Sequence, residues 1–138
     1  MLVAIHGAAV LKNGILNPAI NSLISRVRHT NTLVIADRGF PFWPAIETVD
    51  IALIDDIPCV LDVFLAIRCN FSIGRVFMAE EFIAANKPET RTRFENAMKE
   101  LAIVYEPHQT FKTRVPGSIG LIRTADTVPY ANIILESA

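Results

Sequence analysis

Six polar side chains stand out in this sequence of 138 residues because of where the hydrophobic patterning puts them. His29 falls where an amphipathic segment hands over to an apolar run, and Asp37 ends that run. His108 and Lys112 are four apart and share one helical face. Tyr130 and Asn132 are two apart in a strand-like segment and point to the same side of a sheet. An imidazole, with an ordinary pKa of about 6.5, gives or takes a proton at neutral pH. A carboxylate, a phenol and a carboxamide hold hydroxyl groups in register. Each residue also has a plain structural explanation: His29 as a helix C-terminal partner, Asp37 as a cap, His108 and Lys112 as an exposed face, Tyr130 as a core ring with its hydroxyl satisfied. Taken singly, the structural explanation is favoured for every one.

The elements that must position them follow from periodicity. Asn17 and Pro18 read as N-cap and first helical residue, and Ile20, Leu23, Ile24 and Val27 then give an amphipathic helix ending near His29. TLVIA, 32–36, is a strand covered on both faces, which puts Asp37 at a carboxyl end, where open α/β sheets place ligands. GFPFWP, 39–44, is an apolar loop; VDIALI, 49–54, is a second strand, and Asp55 and Asp56 precede Pro58 and a helix carrying Val60, Leu61, Phe64 and Ile67. IGRVFMA, 73–79, is a third strand, followed by Glu80 and Glu81, which read as a solvated face or a helix start. A helix over 87–101, a strand over 102–105 and a helical HQTFKTR come next. The last strands, 119–123 and 130–135, are separated by too few residues for a crossover helix, so they are expected to form an antiparallel hairpin at the end of an otherwise parallel sheet. The class is α/β, a layered sandwich.

Composition narrows the field. The length fits one domain, 1–138, with the first ten residues as an extra segment in which His6 is incidental. A hydrophobic fraction of 51% and mean hydropathy of +0.37 are high for a monomer of this size, which points to buried subunit contacts. The net charge is −1 and the 13 basic residues are scattered, so no nucleic-acid footprint is visible. No stretch approaches the roughly 20 apolar residues of a membrane span and no basic leader precedes the first apolar run, so a cytoplasmic protein is expected. Cys59 and Cys69 read as reduced structural thiols, with no zinc-site spacing. The glycine-rich nucleotide motifs, the serine-hydrolase elbow and C-x-x-C are all absent.

Taken in order, three stretches change the reading. LKNGILNPAINSLISRVRHTNTLVIADRGFP resembles the opening of the D-ribose pyranase and L-fucose mutarotase family, PYANIIL resembles its closing motif, and HQTFK sits where its second histidine and lysine fall. The likeness runs from about Leu11 to the end. It implies a cofactor-free isomerase forming a ring-shaped decamer of Rossmann-like subunits, three-layered around a mainly parallel sheet. It also implies His29 as catalytic proton donor, and Asp37, His108, Tyr130 and Asn132 as sugar contacts with Lys112 a further candidate. Ala131 matches the ribose branch, whereas Arg38 and the bulky FPFWP loop depart from the family pattern beside the expected sugar.

The implied chemistry suits the residues. Opening a cyclic hemiacetal needs one proton delivered to the ring oxygen and one removed from the anomeric hydroxyl, with neither metal nor redox step, and sugars already do this slowly in water. Yet His29 precedes strand 32–36 and Asp37 ends it, so at about 3.3 Å per residue they lie on the order of 20 Å apart. A site using both must be shared between subunits. The alternative is a non-catalytic sugar-binding accessory protein of monosaccharide uptake.

Overall fold

The structure, a computed structural model, describes residues 14–138; the opening segment with His6 lies outside the described residues. In chain order the elements are α1 (Pro18–Ser25), β1 (Thr32–Ala36), β2 (Glu47–Asp50), α2 (Val60–Arg68), β3 (Ile73–Ala79), α3 (Glu81–Ala85), α4 (Pro88–Ala97), β4 (Ala102–Glu106), α5 (His108–Arg114), a 3₁₀ turn (Val115–Gly117), β5 (Gly120–Arg123) and β6 (Ile133–Ser137). Helix α1 starts as the sequence dictates: the Asn17 side chain accepts the Ile20 N–H at 3.0 Å, and Pro18 fills the first helical position.

The six strands form one sheet in the order β2-β5-β1-β6-β3-β4. The pairs β1–β5, β2–β5 and β3–β4 are parallel, and β6 runs antiparallel to both β1 and β3. The mixed α/β class and the antiparallel last strand are as expected, but the hairpin is not: β6 pairs with β1 and β3, and β1 separates it from β5. Two features explain the insertion. Residues after β5 cross the end of β1 instead of turning back, stitched there by Thr124, whose N–H and hydroxyl both donate to the Ala36 carbonyl at 2.9 and 2.8 Å. In addition, Ile133, Ile134 and Leu135 are fully buried, which only a central strand covered on both faces can provide.

Alternation along the central strands divides the core. Leu33, Ile35, Val76, Met78, Ile133 and Leu135 pack with α1, α2, Phe82 and Phe94 on one face. Val34, Ala36, Phe77 and Ile134 pack with Phe40, Phe111, Val115 and Leu121 on the other. Gly120 permits the close fit of α1, since a Cβ there would lie 2.5 Å from a Leu23 methyl. Several boundaries move: α1, expected to end near His29, ends at Ser25, and the last strand, expected over 130–135, spans Ile133–Ser137. The strand expected over 49–54 lies at 47–50, after which the chain leaves β5 and exposes Leu53 and Ile54 in a turn closed by the Ile54–Ile57 bridge. The helix expected to reach residue 101 ends at Ala97, followed by a turn with Glu100 at φ 72°.

Candidate active site at the carboxyl end of β1

Parallel strands deliver their following residues to one end of the sheet, and an antiparallel strand delivers its preceding residues to that same end. Asp37 follows β1, His108 follows β4, and Tyr130 and Asn132 precede β6. These four line a cavity of about 310 Å³ together with Arg38, Phe40 and Asp126. The structure thus gathers four of the six candidates into one place.

Asp37 is the most constrained. Its backbone N–H donates to Asn132 Oδ1 at 2.7 Å, and its Oδ1 accepts the Gly39 N–H at 3.0 Å. Burial pushes its carboxyl above the ordinary aspartate range; hydrogen bonds from Gly39, Asn132 and Phe40 pull the other way, and the nearby Asp126 charge adds to the rise. The Arg123 guanidinium braces this turn from β5 by donating to the carbonyls of Asp37, Arg38 and Pro41 at 3.2–3.4 Å.

His108 opens α5, and its backbone N–H donates to both oxygens of Glu81, at 3.0 and 3.1 Å. Glu81 is thus a cap for α5 as well as the start of α3, and not a merely solvated charge. The imidazole lies parallel to Phe111, at 6.0 Å, and edge-on to Phe40 and Tyr130. Burial, assisted by the Lys112 charge and opposed by Glu81 and Asp37, holds its pKa below 6.5. Its enclosed Nδ1 has no hydrogen-bond partner. The neutral tautomer with its proton on Nε2 leaves only a lone pair there, a smaller cost than an orphaned N–H.

Tyr130 and Asn132 were expected on a strand, facing one side; they lie in the turn before β6, whose first residue is Ile133. Tyr130 has φ 56°, a left-handed conformation costing a non-glycine residue about 1–2 kcal/mol. The turn is pinned where Asn86 Nδ2 donates to the Pro129 carbonyl at 2.9 Å. The result is a half-exposed ring 5.2 Å from the His108 ring and a buried Asn132 lining the same cavity.

The other two candidates lie elsewhere. Lys112, one turn along α5, does not line the cavity and acts on it through its charge on His108. His29 is exposed in the turn after α1 and lines a second cavity of about 400 Å³ with Val27, Phe71 and Ser137, at the amino end of β1. That separation is the one expected from strand length.

Asp126 was missed. It lay in a short gap between two strands, and nothing local distinguishes a buried carboxylate from a turn residue. It stands within 4.8 Å of Asp56 and Cys59, but the three groups are engaged within the chain. Asp56 accepts the N–H and hydroxyl of Thr127, Asp126 accepts the N–H groups of Val60 and Val128, and the Cys59 thiol donates to the Asp56 carbonyl.

The sequence profile described as the RbsD / FucU transport protein family matches residues 10–138. Curated relatives include D-ribose pyranases of Bacillus cereus (strain ATCC 10987 / NRS 248) and Geobacillus thermodenitrificans. Each is 36% identical over 126 residues, covering 91% of this chain and 95% of the relative. Among solved structures, Bacillus subtilis RbsD complexed with D-ribose aligns with a TM-score of 0.85 at 31% identity, covering 91% of this chain and 95% of that one. The fucose mutarotase of Streptococcus pneumoniae, complexed with L-fucose, shares the fold with a TM-score of 0.72 at 18% identity, over 92% and 94% of the two chains. By its profile match, its curated relatives and its fold, this chain belongs to the RbsD / FucU transport protein family.

Proposed function

We propose that this protein is a sugar mutarotase of the D-ribose pyranase type, an isomerase that interconverts the ring forms of ribose or a closely related monosaccharide without a cofactor. One observation carries the reading. The cavity gathers Asp37, His108, Tyr130 and Asn132 at the carboxyl end of β1, in a chain 36% identical to D-ribose pyranases over 91% of its length.

The carboxylate, the amide and the phenol hold hydroxyls, and the neutral imidazole supplies a donor. Ring opening moves one proton onto the ring oxygen as the bond from that oxygen to the anomeric carbon breaks. The anomeric hydroxyl gives up its proton, leaving the open-chain aldehyde, and a different hydroxyl then closes the ring. Positioned acid and base groups are worth roughly 10²- to 10⁴-fold in such a step.

His29 is the proton donor in this reading, supplied by a neighbouring copy, because within one chain it lines the opposite cavity. The working form is then a homo-oligomer, in its most specific version a decamer, in the cytoplasm. Exposed Leu16, Phe42, Leu53, Ile54 and Ile57 supply apolar surface for such contacts. No helix among the described residues is long and apolar enough to cross a membrane. Lys112 assists by biasing His108 toward its neutral form.

Saturation-transfer NMR of D-ribose ring-form exchange, with wild type and His29→Ala, tests the proposal. Exchange is accelerated by wild type and not by the variant. Equal rates with and without protein across a panel of sugars would overturn the enzyme reading and leave an accessory sugar binder.

A further inference from the structure

We propose that Asp126 is a positioning residue of the sugar site: its buried carboxylate ties the turn before Tyr130 to the start of α2, and so sets where its own backbone carbonyl meets the Asp37 turn. The inference rests on reading the cavity as a sugar site and goes beyond it, since Asp126 has no place in the set of hydroxyl-binding groups.

The geometry is specific. Asp126 is 2% exposed and lies against the cavity, yet both of its oxygens are committed to backbone. Oδ2 accepts the N–H of Val60, the first residue of α2, at 2.9 Å, and Oδ1 accepts the N–H of Val128, two residues before Tyr130, at 2.8 Å. Its own carbonyl accepts the N–H of Arg38, the residue after Asp37, at 3.1 Å. One residue therefore brings three segments together: its carboxylate holds the start of α2 and braces its own turn ahead of the phenol, and its backbone carbonyl holds the turn that carries Asp37. Its charge is carried by backbone N–H groups and the positive end of α2, with no cation paired to it among the described residues.

A helix cap alone would need only the Val60 contact. The Val128 contact instead braces the turn that leads to Tyr130, and by fixing residue 126 the carboxylate also fixes the backbone carbonyl on which the Asp37 turn hangs. The negative charge also reaches Asp37 and adds to the rise of its pKa. The other charged or titratable groups around Asp37 are His108 from α5, Arg123 from β5 and its neighbour Arg38. Arg123 is committed to the carbonyls of the turn and to Asp50, and Arg38 to Asp55. Asp126 is thus the acidic neighbour whose removal lets Asp37 ionise more readily.

The test uses the full-length protein and D-ribose, with three readouts: thermal melting, the dissociation constant, and the Asp37 titration midpoint by carboxyl carbon NMR. Asp126→Asn removes the charge and one acceptor. The expected result is a folded variant binding ribose about tenfold or more weakly, with the Asp37 midpoint moved down. Asp126→Glu keeps the charge and returns the midpoint toward wild type. Asp126→Ser, smaller and also neutral, supplies the same test should the Asn variant not fold. A folded neutral variant with ribose affinity within twofold of wild type and an unmoved Asp37 midpoint would overturn the proposal. A wild type that binds ribose without accelerating exchange defeats the mutarotase reading alone, because the affinity and midpoint still judge Asp126. A wild type that does not bind ribose overturns both.

Discussion

The two ends of β1 are built in opposite ways. At the carboxyl end, the polar groups are held by the chain itself: Asn132 clamps the Asp37 N–H, Glu81 holds His108, and Asn86 pins the turn before Tyr130. At the amino end, the turn is equally well made, with Asn31 Oδ1 accepting the Arg28 N–H at 2.8 Å and Ser137 donating to the Arg28 carbonyl. There, however, the bonds fix the backbone and leave His29 exposed. Under the proposed function, binding is internal to the subunit and the His29 proton donor is offered to a neighbour.

Breaking the amino end gives the largest effect. His29→Ala should lower ring-form exchange by roughly 10²- to 10⁴-fold while leaving stability within about 0.5 kcal/mol, because the side chain is exposed. The comparison is sharpened by mixing. His29→Ala and Asp37→Asn subunits, each poor alone, should recover activity when refolded together, since a hybrid contact contains one intact site. Mixtures no more active than their parents would show that the two ends do not cooperate across subunits.

Breaking the carboxyl end costs stability as well. Asn132→Ala orphans the Asp37 N–H in a buried place, for an expected loss of about 1–3 kcal/mol, and weakens ribose binding at the same time. Chemical denaturation with a parallel ribose titration measures both. A variant that loses affinity at full stability would mean that Asn132 serves the sugar only.

Much of this division was legible in the sequence, for reasons that particular residues make plain. The Asn17–Pro18 start of α1, the uninterrupted TLVIA run and the IGRVFMA strand are dictated by local preference and burial, and β3 falls where the pattern puts it. The separation of His29 from Asp37 follows from strand rise alone. The neighbour of β6 was not legible. A short apolar strand carries no mark saying that it inserts between β1 and β3, since that choice is made by Thr124 reaching Ala36, 88 residues away in sequence. For the same reason the turn conformation of Tyr130 and the role of Asp126, which holds a residue 66 positions away, are invisible until the sheet has formed.

Two groups of the carboxyl end make stability depend on pH. Asp37 has its folded pKa raised above 3.8, so its stabilising contribution is complete below that value and is lost as pH rises through the folded pKa. His108 has its folded pKa lowered from 6.5, so its contribution is present above that value and is lost as pH falls through the folded pKa. Asp37→Asn keeps a polar group of the same shape and removes the buried charge, so its melting temperature at pH 7 should exceed that of wild type while ribose binding falls. Melts from about pH 3 to pH 8 check this, and a lower melting temperature for the variant at pH 7 would show that the ionised carboxylate is stabilised by more than the bonds described.

The smallest effect is expected at the rim. Arg38 lines the cavity beside Asp37, but its guanidinium is 58% exposed and paired with an equally exposed Asp55 at 2.7 Å. Pairs of this kind are worth about 0–1 kcal/mol, so Arg38→Ala should change stability by less than about 0.5 kcal/mol. Because Asp55 already answers its charge, Arg38 presents a nearly neutral edge to a ligand. D-ribose affinity should therefore stay within about threefold, the scale of a rim contact worth roughly 0.6 kcal/mol. The informative measurement is the ratio of dissociation constants for D-ribose and L-fucose in wild type and variant. A ratio that shifts while ribose affinity holds makes Arg38 a selector between sugars. A tenfold loss for ribose itself would move Arg38 from the rim into the binding set, and the carboxyl end would then hold its sugar partly through a group that the chain leaves exposed.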